Sequence, residues 1–132
     1  MQQIQIDPMS VVIAAVIYMV IGFLWYSKWL FGPTWMKYSG MREEDCKHPG
    51  KAMVFGAINA LVIAYFLAFF EGYLGVTTAS DGMFVGFTVW LGFVATTQVT
   101  KVIWSKTPLK MFAIDTLCKL VSYVAMAGVI GA

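Results

Sequence analysis

Four polar side chains interrupt long apolar stretches of this chain, and they are the first residues whose types could do chemistry: Asn59, Gln98, Asp115 and Lys119. Ionisable groups are rare inside membrane-spanning segments, where they mark binding sites, ion paths or proton relays. If the apolar stretches are helices, a rise of about 1.5 Å per residue places all four roughly 9–15 Å from the same membrane surface. Their similar depth predicts a polar cluster that serves as a candidate site for an unknown ion or small molecule.

Asp115 and Lys119 are four residues apart with the acid first, which is the better order for an ion pair along a helix. A single charge at the bilayer centre costs about 2.5–3.5 kcal/mol on the insertion scale, and pairing offsets part of this cost. One interpretation is structural, with Lys119 extending toward the membrane surface and Asp115 neutralising it. The other is functional, with the two charges forming a site for a ligand or an ion.

The residue types that catalysis or metal binding would need are scarce. His48 is the only histidine, and it lies beside Cys46 in a polar segment, whereas Cys118 lies in an apolar one. A catalytic triad cannot be assembled from these residues, and a four-ligand zinc site lacks its spacing. We therefore expect no enzyme activity, no cofactor, no metal and no disulfide.

The elements that position these residues follow from the composition, which is 60% apolar and only 12% charged. Soluble domains have about 45–50% apolar and roughly 25% charged residues, so the bilayer is the expected solvent. A helical span needs about 20 apolar residues. The sequence predicts one all-α domain, an integral membrane four-helix bundle, with spans at about 9–31, 51–73, 81–103 and 109–131.

The basic residues predict the orientation of the spans. The amino-terminal segment before residue 9 carries no lysine or arginine, so we expect a retained span and not a secretory signal. Short loops rich in lysine and arginine stay in the cytoplasm. Of the nine basic residues, only Lys119 lies well inside a span. The other eight flank or lie in the loops after spans one and three: Lys28, Lys37, Arg42, Lys47, Lys51, Lys101, Lys106 and Lys110. Both termini should therefore lie outside a bacterial inner membrane, with the polar cluster open toward the cytoplasm.

The connection at 32–50 is the one sizeable polar segment, and its mixture of aromatic and basic residues fits either an interfacial helix or a solvated cap over the bundle. The two halves of the chain are also loosely alike. Gly22-Phe23 precedes Lys28, and Gly92-Phe93 precedes Lys101. Two related helical hairpins are therefore possible.

Small residues recur at helical spacing and predict close helix packing. Span two carries Gly56, Ala60, Ala64 and Ala68, and span three carries the pair Gly82 and Gly86. Residues four apart share one helix face, and small ones let helix backbones approach each other in lipid. The pattern leaves open whether the contact is within one chain or between copies.

Three segments together resemble a bacterial family of small four-span membrane proteins known as DUF1761. They are Gly22–Ser27 with Leu30, Phe31, Gly32 and Trp35; the acidic turn Glu43–Asp45; and Trp90–Thr97. The resemblance covers nearly the whole chain, and Lys28 departs from it, since a proline is expected there. It implies the four-span fold and no particular activity.

Two functions from different classes fit these observations. The first is a homo-oligomeric transporter- or channel-like protein, since four short spans rarely enclose a path alone. The second is a structural or partner-binding membrane subunit without transport activity. Small multidrug exporters need an acid in the first span, which is absent here. The net charge of +2 is too small to indicate nucleic acid, so the expected partners are lipid and further copies of the chain.

Overall fold

The computed structural model describes residues 6–27, 34, 37, 50–106 and 108–132. Within these residues the chain is all-helical, with four helices long and apolar enough to cross a membrane: α1 (Pro8–Trp25), α2 (Gly50–Leu74), α3 (Ala79–Ser105) and α4 (Leu109–Gly131). The expected integral membrane four-helix bundle is confirmed. The polar connection at 32–50, with Cys46 and His48, falls almost entirely outside the described residues.

Helix α1 begins and ends with side-chain hydrogen bonds. Asp7 is its N-cap and accepts from the backbone N–H of Met9 at 3.1 Å, with Pro8 in the first turn. The helix ends at Trp25, earlier than predicted. The hydroxyl and the backbone N–H of Ser27 both donate to the carbonyl of Leu24, at 2.8 and 3.3 Å. This local bonding replaces the next helical hydrogen bond.

The other three helices begin and end within two residues of the predicted spans. Thr78 caps α3 by accepting from the backbone N–H of Asp81 at 3.2 Å, so Asp81 is an acid of the first turn and not the cap. The turn between α2 and α3 passes through Gly75, whose φ of +73° suits glycine. Helix α3 contains a π-helical segment at Trp90–Ala95, inside the segment that resembles the family.

Helix α4 lies at the centre of the bundle and packs against all three other helices. Its most extensive contact is with α3, and α1 packs against both α2 and α4. Helices α2 and α3 pack against each other much less, and an apolar groove of about 260 Å³ separates them, with Phe70 and Phe93 among its lining residues. Each pair of sequential helices thus forms a hairpin, and α4 joins the two hairpins.

Small residues make up much of the core. Ala60, Ala64 and Ala68 of α2 are buried, together with Ala14 and Ala15 of α1. In α3, a methyl group at Gly86 would lie 2.6 Å from the carbonyl oxygen of Tyr123, so glycine is needed for α4 to approach this closely. The small-residue stripes therefore pack against other helices of the same chain, whereas the sequence pattern also allowed packing between copies.

Two ends of the bundle are distinguished by charge. The lysine-rich end carries Lys51, Lys101, Lys106 and Lys110 at or near helix termini. The lysine-free end holds the start of α1, the turn from Gly75 to Thr78 and the end of α4.

Candidate functional site

The polar residues of α4 do not pair with each other. No ion pair joins Asp115 to Lys119. The hydroxyl of Tyr26 instead donates to the carboxylate of Asp115 in a short hydrogen bond. Lys119 donates from Nζ to the hydroxyl of Tyr18, and its ammonium lies 4.6 Å from the centre of that ring. The expected intrahelical pair is replaced by two separate contacts between α1 and α4.

Two tryptophans hold the backbone of α4 on either side of Asp115. Trp25 of α1 donates from its indole N–H to the carbonyl of Ile114 at 2.9 Å. Trp90, the first residue of the π-helical segment, donates in the same way to the carbonyl of Thr116 at 2.9 Å. Buried indole N–H groups need such partners. These bonds come from two different helices and fix the rotation of α4, so that Asp115 faces Tyr26.

Two of the three segments that resemble the family therefore meet at one place. Trp25 and Tyr26 belong to the first segment, and Trp90 begins the third. Their partners are three consecutive residues of α4, Ile114 to Thr116. We call Trp25, Tyr26, Trp90 and Asp115 the aspartate centre. A cavity of about 320 Å³, whose described lining includes Trp25, Lys110 and Ile114, lies beside it toward the lysine-rich end.

The aspartate centre and the Lys119–Tyr18 contact form a line along the α1–α4 interface. Asp115, Lys119, Tyr18 and Tyr26 are all half-buried. One helical turn separates the negative group from the positive one on α4, which is about 6 Å of rise. The line therefore offers an acceptor and a donor at two levels, each held by a tyrosine hydroxyl.

The other two members of the predicted cluster make no hydrogen bond to this line. Asn59 is exposed on α2 and makes no side-chain hydrogen bond within the described residues. It faces outward because the opposite face of α2, with Ala60 and Ala64, is buried. Gln98 is half-buried on α3 and likewise has no side-chain hydrogen bond among these residues. Neither side chain is thus hydrogen-bonded to Asp115 or Lys119, since position along a helix does not determine which way a side chain points.

The threonines near Gln98 serve their own helix. Thr96 donates from its hydroxyl to the carbonyl of Gly92 at 2.8 Å, and Thr97 donates to that of Phe93. Thr100 donates to the carbonyl of Thr96 at 3.3 Å. These bonds satisfy hydroxyls in an apolar surrounding. The hydroxyls of these three threonines are therefore bonded within α3 and not to Asp115.

Reasoning from the sequence missed two important residues. Tyr18 lies in the middle of α1, away from the interfacial belts where tyrosine is common. This position in the middle of a span is the feature of the sequence that could have identified Tyr18 as a functional residue. Glu71 lies at the lysine-free end of α2, near the end of the predicted second span, yet it is only 2% exposed.

Comparison with known proteins gives one match. The model of the family described as "Protein of unknown function (DUF1761)" matches residues 9–131. No curated protein and no solved structure matches the chain. The match spans all four helices and all three segments that resemble the family, so the chain belongs to the DUF1761 family of proteins of unknown function.

Proposed function

We propose that this protein is a homo-oligomeric transporter- or channel-like membrane protein, with a solute or ion site on the line between the aspartate centre and Lys119. The single observation behind the proposal is that Asp115 and Lys119 each contact a tyrosine and not each other. A pair kept only to neutralise charge in the membrane gains most from direct contact. The two charges are held apart by tyrosine hydroxyls, so each of them is placed to bind a solute or an ion.

The chemistry of the line indicates the class of solute. Asp115 offers a carboxylate, and Lys119 offers an ammonium about one turn away along α4. A small cation would bind at the first, a small anion at the second, and a dipolar solute could engage both. The tyrosine hydroxyls can exchange their present partners for the solute, since each both donates and accepts.

Entry from the lysine-rich end fits this site. The cavity beside Trp25 and Ile114 adjoins the aspartate centre from that side. By the distribution of basic residues, the lysine-rich end is the cytoplasmic one, which places both termini outside. The site is then reached from the cytoplasm, in keeping with an inner-membrane location.

The exposed amide of Asn59 supports self-association. It lies about nine residues into α2, deep enough that the surrounding lipid offers it no hydrogen-bond partner. Asparagine side chains that face lipid bind across helices and drive helix association. Since the small-residue stripes are buried within one chain, a second copy would contact the outward face of α2, which carries Phe55, Asn59 and Val62.

A flux assay with purified protein in liposomes tests the transport proposal. The assay should compare monovalent cations, small anions and an amino acid as solutes. Asp115→Asn and Lys119→Met should abolish or change the flux of the transported solute while the protein remains folded. Thr96→Val is the matched control, because Thr96 is exposed and bonds only within its own helix.

A structural or partner-binding subunit is the alternative, favoured by the fact that both tyrosine contacts also tie α1 to α4. This alternative predicts no flux of any of these solutes. Asp115→Asn and Lys119→Met should then lower the stability of the protein and have no other effect. Self-association is tested separately by cross-linking in native membranes. Asn59→Leu should reduce the oligomer, and Ile58→Leu, at the neighbouring exposed position, should not. Equal cross-linking in both would contradict the α2 interface.

A further inference from the structure

Glu71 is the most deeply buried ionisable side chain among the described residues. It is 2% exposed, and neither carboxyl oxygen has a hydrogen-bond partner. A buried carboxylate without a partner is strongly unfavourable, because it loses its hydration and gains nothing in return. The packed arrangement therefore requires a bound cation or a proton that neutralises the carboxylate of Glu71.

The backbones of two glycines border the carboxyl group of Glu71. Its Oε1 atom lies against Gly82 of α3, where a methyl group would overlap both this oxygen and the carbonyl oxygen of Ala127. A methyl group at Gly131 of α4 would lie 3.0 Å from the same oxygen and 2.5 Å from the carbonyl oxygen of Thr78. Glu71 is thus enclosed where α2, α3 and α4 meet at the lysine-free end.

No cationic side chain reaches this place in the described part of the chain. The lysines of the lysine-rich end are far away, and Lys119 precedes Gly131 by about 18 Å of helix rise. Toward the lysine-free end, the neighbouring elements carry exposed Asp7, exposed Asp81, exposed Tyr73, exposed Tyr65 and half-buried Tyr123 as further titratable groups, with Asp115 and Cys118 farther along α4. Glu71 forms no hydrogen bond or ion pair with any of them.

The ligands available near Glu71 favour a proton as the neutralising cation. Among the described residues no group of three or more acidic, histidine or cysteine side chains lies together, so a metal ion at this place would have Glu71 as its one charged ligand. A proton needs no further ligand. The carbonyl oxygens of Ala127 and Thr78, which lie with Oε1 beside Gly82 and Gly131, are acceptors for the resulting hydroxyl.

We propose that Glu71 is a proton-binding site, and that release of its proton separates α2 from α3 and α4 at the lysine-free end. In this step the O–H bond of the carboxyl group breaks, and the proton passes to water of the adjoining aqueous phase. The carboxylate that remains must be hydrated, so the glycine contacts of Gly82 and Gly131 open. The small contact between α2 and α3 makes this the joint that opens most easily.

This inference does not depend on transport by the aspartate centre. A proton site at one end of the bundle and a charged line nearer the other would suit proton coupling. Proton binding and opening would nevertheless exist in a protein that transports nothing. The experiments below therefore measure protonation and packing and use no flux.

The first experiment follows the thermal unfolding of the purified full chain in one detergent as the pH is raised. The packed state contains the protonated carboxyl, so the Tm of the wild type should fall by several degrees as Glu71 loses its proton. Glu71→Gln keeps the shape without the charge, and its Tm should be high and nearly constant over the same range. Asp81→Asn is the control, since Asp81 is exposed at the same end, and it should retain the wild-type fall. An equal fall in the Glu71→Gln variant would overturn the proposal.

The second experiment detects the proton itself and needs no stable Glu71 variant. Infrared spectra should contain the C=O stretching band of a protonated carboxyl at neutral pH, and this band should remain in Asp115→Asn. It should disappear on raising the pH together with the loss of packing. Where Glu71→Gln folds, the band should be absent from it. A wild-type protein without such a band at neutral pH would overturn the proposal.

Discussion

The indole N–H of Trp90 on α3 and the carbonyl of Thr116 on α4 are joined by a hydrogen bond of 2.9 Å. With the matching bond from Trp25 to Ile114, it holds the segment of α4 that carries Asp115 from two sides. The first π-helical residue of α3 thereby determines which way an acid on the next helix points. The relationship connects the first and third of the segments that resemble the family to one carboxylate.

Removing that bond should destabilise the protein measurably. Trp90→Phe keeps an aromatic ring and deletes the N–H, so we expect a loss of about 1 kcal/mol in unfolding free energy. Trp104→Phe is the control on the same helix, because Trp104 is 80% exposed. Thermal or denaturant unfolding of both variants in one detergent measures the difference, and equal stabilities would mean that the bond contributes nothing.

A double-mutant cycle should show that Asp115 is coupled to Tyr26 more strongly than to Lys119. Residues in contact show interaction energies of about 0.5–3 kcal/mol. Tyr26→Phe and Asp115→Asn remove the two sides of one hydrogen bond, so their combined effect should be smaller than the sum.

Asp115→Asn and Lys119→Met disturb different tyrosines, so their effects should be closer to additive. The two cycles share the Asp115→Asn variant and are compared in the same unfolding assay. A larger coupling energy between Asp115 and Lys119 than between Asp115 and Tyr26 would favour a direct ion pair.

Glycines of α3 should differ sharply in their tolerance of alanine. At Gly86, the added methyl group would lie 2.6 Å from the carbonyl oxygen of Tyr123, and overpacking of this kind costs about 1–3 kcal/mol. At Gly92 nothing lies within 4 Å, so Gly92→Ala should be neutral or stabilising. Unfolding of both variants checks the prediction, and a Gly86→Ala variant as stable as Gly92→Ala would contradict the close α3–α4 contact.

The orientation of the bundle remains a prediction from the basic residues. Alkaline phosphatase is active only outside the cytoplasm, so its fusion to the carboxyl terminus should be active and its fusion near Arg42 inactive. A reporter that matures only in the cytoplasm should give the opposite pattern at the same two sites. The reverse outcome for both reporters would place the termini inside.

Much of the fold could be read from the sequence because the bilayer imposes simple requirements. Helix α4 begins at Leu109 and ends at Gly131, as predicted, since the apolar stretch between Pro108 and the terminus has the length of one span. The buried stripe with Ala60 and Ala64 follows from four-residue spacing alone. Helix α1 is the exception, since it ends at Trp25 beside the hydrogen bonds of Ser27 and not at about residue 31.

The site could be predicted only in part, because depth is set by position along a helix but direction is not. The sequence by itself determined the four helices, their suitability for a membrane, and the spacing of Asp115 and Lys119 one turn apart on α4. Only the tertiary structure decided that Asn59 faces outward, that Tyr18 and Tyr26 take the two charges of α4, and that Glu71 is buried. These outcomes depend on how each helix is rotated against its neighbours. That rotation results from contacts between residues far apart in the chain, such as Trp25 with Ile114 and Gly82 with Ala127, and no local pattern of one helix contains it.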